Sequence, residues 1–201
     1  MFEHLNLILF SAFNADAGLA GWQLLGAVFA AEWLIFLMPL SLVMLWAGGA
    51  AGEREVALRA FIAALCALTL NGLIGQLWYS PRPFVVGVGH AFLLHDADSS
   101  FPSDHATSMF SVALVLAFSS VQAARRAGWL LPLALVVAWS RVYLGVHWPR
   151  DMAGAFLMSS VMAWLACRPV LRAACAQLLP LTERVYRRVL AVPIGRGWLR
   201  P

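Results

Sequence analysis

An all-α bundle embedded in a membrane is the fold class that the sequence predicts, and three observations carry it. The chain is 62% hydrophobic and 12% charged, with a mean hydropathy of +0.78, whereas soluble domains are about a quarter charged. Apolar runs near spanning length recur, at roughly Gly21 to Gly48, Val56 to Trp78, His105 to Val121, Trp129 to Val146 and Met152 to Val170. A helix needs about 20 residues to cross a bilayer. The links between these runs alternate in charge, as the links of a multi-pass protein do. These features predict an integral membrane helical bundle of about five transmembrane helices plus an N-terminal interfacial helix, in one membrane domain over residues 1–201.

The elements follow in order. Phe2, Leu5, Leu9 and Phe13 have the spacing of one helical face, so residues 1–20 are read as an interfacial helix. A cleaved signal peptide fits less well. Glu3 is present and no Arg or Lys precedes the apolar run, although Ala15-Asp16-Ala17 has the form of a cleavage site. The core is assigned to residues 21–172. Its third run is short and needs an extra turn at one end. Residues 173–201 are a basic tail in which Leu178, Leu181, Val185 and Val189 predict an amphipathic helix on anionic lipid.

All positive charge is arginine. Arg54, Arg59, Arg125, Arg126, Arg168, Arg172, Arg184, Arg187, Arg188, Arg196 and Arg200 fall on one side of the alternating links, which the positive-inside rule makes cytoplasmic. The opposite side holds only Arg82, Arg141 and Arg150. These arginines read as topology signals and site residues, so nucleic acid is not an expected partner. Cys66, Cys167 and Cys175 have neither metal spacing nor a disulfide framework.

The chemistry-bearing residues lie at the outer ends of the runs. Phe101-Pro102-Ser103-Asp104-His105 opens the third. Proline suits a first helical turn, Asp104 complements the helix dipole, and the unpaired first amides make an anion site to which Ser103 adds a hydroxyl. In His147-Trp148-Pro149-Arg150-Asp151, Pro149 starts the fifth run and Asp151 can reach back to an imidazole nitrogen. An Arg150–Asp151 ion pair at a helix start is the plainer alternative, with Arg150 turned to water or headgroups. Arg141 is an intramembrane cation and needs a partner, either a phosphate or the Glu32 carboxylate of the first run. Asn71 and Gln76 read first as interhelical glue. Pro81 and Pro83 hold Arg82 at the end of the second run. His90, His95, Asp96 and Asp98 lack metal spacing and read as a solvated loop, so no metal or other cofactor is expected.

Pro81-Arg82-Pro83, Pro102-Ser103-Asp104-His105 and Ser140-Arg141…His147…Asp151 resemble, in order and spacing, the three signature motifs of the type-2 phosphatidic-acid phosphatase superfamily. The fuller text, Asn71-Gly72-Leu73-Ile74-Gly75-Gln76 through Phe84, His95 and Ser100 to Thr107, is similar to the BcrC-type undecaprenyl-diphosphate phosphatases. Two positions depart from the superfamily pattern. Gly75 stands where a lysine usually opens the first motif, and Asp104 replaces the glycine of Pro-Ser-Gly-His.

The resemblance implies a metal-independent phosphohydrolase acting on undecaprenyl diphosphate, a polyprenyl diphosphate lipid, in a bacterial cytoplasmic membrane. In that reading His147 is the nucleophile, Asp151 orients it and His105 serves as acid and then base. Arg82, Arg141, Ser103 and the amides near Asp104 hold the phosphate, with Glu32, Gln76 and His95 as secondary candidates. Membrane lipids are the surroundings, and bacitracin tolerance would be a side effect. The rivals are the same chemistry on phosphatidylglycerophosphate, phosphatidic acid or a lipid A phosphate, and a membrane protein that binds lipid phosphate without turnover. A vanadate-dependent haloperoxidase fits less well, given five apolar runs and Gly75.

Overall fold

The computed structural model describes residues 2–200, which form helices and connecting loops with no strand among them. The expected N-terminal helix is α1 (Phe2–Phe13). Its buried residues are Asn6 and Phe10, while Phe2, Leu5, Leu9 and Phe13 face outward. The apolar face read from spacing is therefore the outward one, and the helix is anchored through its other side.

The first run folds as two helices, α2 (Gly21–Glu32) and α3 (Leu37–Gly48), joined by a tight turn of 3₁₀ helix at Leu34–Phe36. Pro39 accounts for the break. It has no N–H, and its ring crowds the carbonyl four residues back, at Ile35. Glu32 is thereby left at the end of α2.

Next come α4 (Ala51–Leu77), central α5 (Asp104–Ala117), short α6 (Gln122–Arg126), α7 (Leu130–Tyr143), α8 (Pro149–Ala166), α9 (Pro169–Val189) and α10 (Ala191–Gly195). The expected all-α bundle is present, with two to three apolar helices of spanning length and shorter apolar helices beside them. Gly21–Gly48 and Ala51–Leu77 are long and apolar enough to cross a membrane, and α8 with α9 qualifies only as a pair bent by 73°. Helices α5 and α7 have 14 residues each, or about 21 Å, less than a hydrocarbon core of about 30 Å. For α5 the reason is position. Every residue from Ala106 to Leu116 is buried, so its neighbours, and not lipid, surround it. Helix α9 begins before the expected tail and runs into it as far as Val189.

Small side chains let the helices approach α5 closely. Val56, Ala60, Ala63, Ala64, Ala67 and Asn71 line the buried side of α4, and Ala155, Ser159, Ala163 and Ala166 that of α8. Polar bonds tie the same surfaces. Asn71 Nδ2 donates to Thr107 Oγ1 at 2.9 Å, and Ser159 Oγ donates to the Thr107 carbonyl at 2.9 Å. Ser111 Oγ and Ser159 Oγ are 3.0 Å apart. Asn71 is thus glue between α4 and α5.

At the end bearing the basic links, Arg54 and Arg59 are buried staples as well as charge markers. Arg54 donates to the carbonyls of Trp46 and Arg200 and pairs with Glu183 at 3.2 Å. Arg59 reaches the Ala166 carbonyl at 3.1 Å and pairs with Glu55 at 2.7 Å. Together they fasten α4 to α8, α9 and the C-terminal segment.

At the other end the loop after α4 folds back on its start. Ser100 N donates to the Ser80 carbonyl at 2.7 Å, and Tyr79 Oη to the Ala97 carbonyl at 3.0 Å. Asn14 bonds the His90 backbone in both directions and the Tyr143 carbonyl. Gly145 has φ +76°, and a Cβ there would collide with the His90 carbonyl, so this turn requires glycine.

The alternating helices put the exposed residues Ala97 and Gln122 at opposite ends of the bundle. Single cysteines at these positions, in a background lacking Cys66, Cys167 and Cys175, should label from opposite faces of the membrane. Ala97→Cys should react with an impermeant maleimide in intact spheroplasts, and Gln122→Cys only after lysis. The reverse pattern would invert the topology expected from the arginines.

Candidate active site

The loop after α4, the start of α5, the end of α7 and the turn into α8 meet at one end of the bundle. Pro81 and Pro83 fix Arg82 in extended backbone. Its guanidinium is nearly buried and donates from Nη1 to the Val146 carbonyl at 2.9 Å and from Nε to Asp98 Oδ1 at 2.8 Å. Arg82 Nη1 also lies 3.1 Å from His147 Nε2.

These contacts fix the imidazole's tautomer. Arginine only donates, so Nε2 of His147 carries the lone pair. On the other side, Nδ1 meets the Ser100 carbonyl at 3.1 Å and Asp151 Oδ2 at 3.2 Å. A carbonyl only accepts, so Nδ1 carries the proton. His147 is thus held with its proton on Nδ1 and its Nε2 lone pair directed at Arg82. Asp151 is completely buried in the first turn of α8. Its Oδ2 accepts from Trp148 N at 2.8 Å and from Ser100 Oγ by a short hydrogen bond.

His147 lies in the turn between α7 and α8. Burial first, and then the charges of Arg82 and Arg141, push its pKa well below the ordinary imidazole value. His95, whose ring packs edge-on to His147 with centroids 6.1 Å apart, is lowered by burial and by the same arginines. Both rings therefore favour the neutral form.

In front of these groups is an open cavity of about 520 Å³ lined by Glu32, Leu94, His95, Asp96, His105 and Arg141. Arg141 is 1% exposed and donates from Nη1 to Glu32 Oε1 at 2.9 Å. Its Nε and Nη2, with Ser103 Oγ, are buried and lack a hydrogen-bond partner among the described residues. A buried unsatisfied donor costs about 1–3 kcal/mol, more when charged, so these groups are suited to an anion.

The structure thus brings together Arg82, His147, Asp151, His95, His105, Arg141 and Glu32, with Ser103 N bonded to the Asp151 carbonyl at 3.4 Å. It turns two other candidates elsewhere. The Asp104 carboxylate accepts from Asn71 Nδ2 at 2.9 Å, on the α4 side. Gln76 lines a separate cavity of about 240 Å³ that also contains Gly75, Ser99 and Asp104. The two departures from the signature pattern are therefore neighbours. A Cβ on Gly75 would lie 3.2 Å from Ser99 Cβ, so the glycine admits the loop that carries Ser100.

Two expectations are corrected. His95 and Asp98 are not merely solvated loop residues, because His95 lines the cavity and Asp98 grips Arg82. Arg150 does not simply face water or headgroups. It bonds Ser80 Oγ and Glu3, lies over the Trp148 ring, and its backbone N–H donates to Asn6. Ser100, which touches both His147 and Asp151, carries no spacing signal that would have singled it out.

The PAP2 superfamily model matches residues 56–174. The chain belongs to the PAP2 superfamily, and it is a membrane lipid phosphatase of that group. Similar proteins include the Escherichia coli "Putative undecaprenyl-diphosphatase YbjG", 41% identical over 200 residues and covering 100% of both chains. Bacillus subtilis "Undecaprenyl-diphosphatase BcrC" is 31% identical over 81% of this chain and 82% of its own. The crystal structure of Aquifex aeolicus LpxE has a similar fold, with a TM-score of 0.62 and 23% identity over 81% of this chain and 94% of that one.

The lowered pKa of His147 gives a pH prediction for this PAP2 protein. A lowered value means that the neutral ring persists at pH values where an ordinary imidazole, near 6.5, is already charged. Ring ¹⁵N spectra should show His147 still neutral, with its proton on Nδ1, at pH values where an ordinary imidazole is already charged. A midpoint near 6.5 would contradict the burial and charge argument.

Proposed function

We propose that the protein hydrolyses undecaprenyl diphosphate to undecaprenyl phosphate and inorganic phosphate. The observation that carries this reading is the set of buried donors without partners, Arg141 Nε and Nη2 and Ser103 Oγ, beside a histidine whose Nε2 lone pair is fixed. The relatives named as undecaprenyl-diphosphatases support the choice of lipid.

In this mechanism the terminal phosphate displaces Arg82 from Nε2, and its equatorial oxygens accept from Arg82, Arg141 and Ser103. His147 Nε2 attacks the terminal phosphorus. A P–N bond forms, and the bond to the bridging oxygen breaks. Protonated His105 gives its proton to that oxygen, and undecaprenyl phosphate leaves. The Nδ1 proton stays on His147, whose positive charge is balanced by Asp151. His105 next removes a proton from water, which attacks phosphorus and breaks the P–N bond. Inorganic phosphate leaves and His147 returns to its neutral form. The donors act where charge builds during transfer, which is the main source of rate in phosphoryl chemistry.

The arginine partition supports a site facing the periplasm or cell exterior in a bacterial cytoplasmic membrane. Recycling the lipid carrier there would support cell-envelope synthesis and give tolerance of bacitracin, which sequesters the diphosphate.

The test is phosphate release by purified protein in excess chelator, from undecaprenyl diphosphate, phosphatidylglycerophosphate and phosphatidic acid. The diphosphate should give the highest kcat/KM, and His147→Ala should reduce release to background while the protein remains folded. A preference for another lipid would move the substrate. Activity lost on chelation and restored by Mg²⁺ would contradict the arginine cradle, and near-normal turnover by His147→Ala would remove the nucleophile.

A further inference from the structure

Both arginines assigned to the phosphate already hold a carboxylate. Arg141 Nη1 lies 2.9 Å from Glu32 Oε1, and Arg82 Nε lies 2.8 Å from Asp98 Oδ1. The pairs are unequal in the same sense. The arginine side chains are 1% and 4% exposed, and their carboxylate partners 44% and 62%. Each cation is fixed, Arg141 in α7 and Arg82 between two prolines. Each anion sits outside a helix interior. Glu32 is the last residue of α2, beside the break caused by Pro39, and Asp98 is in a loop.

We propose that Glu32 and Asp98 are displaceable counter-ions, which neutralise Arg141 and Arg82 between turnovers and yield them to a dianionic phosphate. The proposal rests on the reading that these arginines bind phosphate. A buried guanidinium with no anion is strongly unfavourable, so the empty site needs some neutralising group. An exposed carboxylate can supply it and still turn to water at little cost. Each pair has one short N–O contact, and Arg141 keeps two donors unused. A phosphate brings more acceptors and more charge than either carboxylate, so it wins the exchange.

The exchange also moderates affinity. Phosphate binding then gains only the difference between two charge-assisted contacts. A phosphatase releases a phosphate at every turnover, and a site holding bare arginines would retain that product. Glu32 and Asp98, returning to their arginines, would help expel it.

The probe is inorganic phosphate, with the full-length protein in detergent. Binding is read from thermal stabilisation without lipid and from competitive inhibition of lipid hydrolysis. Glu32→Gln and Asp98→Asn remove one charge each and keep the shape. Each should lower the half-saturating phosphate concentration by about tenfold, the scale of one lost charge-assisted competitor. Unchanged or weaker phosphate binding in either variant overturns the role of that carboxylate. A purely structural pair would show a lower Tm with no gain in phosphate affinity. Asp98→Asn changes only an exposed loop side chain, so it tests the proposal even if Glu32→Gln does not fold. If both variants bind phosphate more tightly but the wild type hydrolyses no lipid phosphate, the counter-ion role stands and the proposed function fails. If the wild type hydrolyses lipid but neither variant binds phosphate more tightly, only the counter-ion role fails.

Discussion

Two guanidinium groups buried inside a membrane bundle govern the rest of this structure. Burying a charge in low dielectric costs several kcal/mol unless anions and acceptors surround it. For Arg82 these are the Val146 carbonyl, the Asp98 carboxylate and the His147 lone pair. For Arg141 the partner is Glu32, and two donors remain over. Burial first, and then the same charges, favour neutral His147, and the neutral ring orients its lone pair because Arg82 can only donate to it. The tautomer of His147 and, in the proposed function, substrate affinity and product release therefore share one electrostatic origin.

The packing supplies the rigidity that this arrangement needs. Helix α5 is short and lies in the centre, where small residues of α4 and α8 close around it. Its start carries Ser103 and His105, and its buried Thr107 and Ser111 side chains are bonded across to Asn71 and Ser159. The turn bearing His147 is fixed from several directions: Trp148 Nε1 bonds the Pro81 carbonyl, Phe10 of α1 packs on the Trp148 ring, and Arg150 N bonds Asn6. Helix α1 thus supports the segment that carries His147.

Much of this was legible in the sequence because the signals were local. Hydropathy located the helices, prolines located Arg82 and the start of α8, and the four-residue spacing of His147 and Asp151 put them in contact. Tertiary effects hid the rest. Hydropathy drew the third and fourth runs longer than α5 and α7, and it could not show that α5 is enclosed, because a buried core helix is as apolar as a lipid-facing one. The same measure missed the break at Leu34–Phe36, whose cause lies in Pro39. Asp98 and Ser100 gave no signal, since their roles depend on a loop that folds back over Gly75. Asp104 lies in the signature motif, yet its carboxylate serves α4. Arg150 carried the charge of a site residue and braces α1.

The central claim is covalent transfer of phosphate to His147. It is tested most directly by rapid-quench single turnover with undecaprenyl diphosphate labelled with ³²P in the terminal phosphate. The account predicts transient protein-bound label that is acid-labile and base-stable, on the peptide containing His147, and that decays as inorganic phosphate appears. Label on another residue, or label that passes to inorganic phosphate with no protein-bound stage while the lipid is consumed, would contradict it.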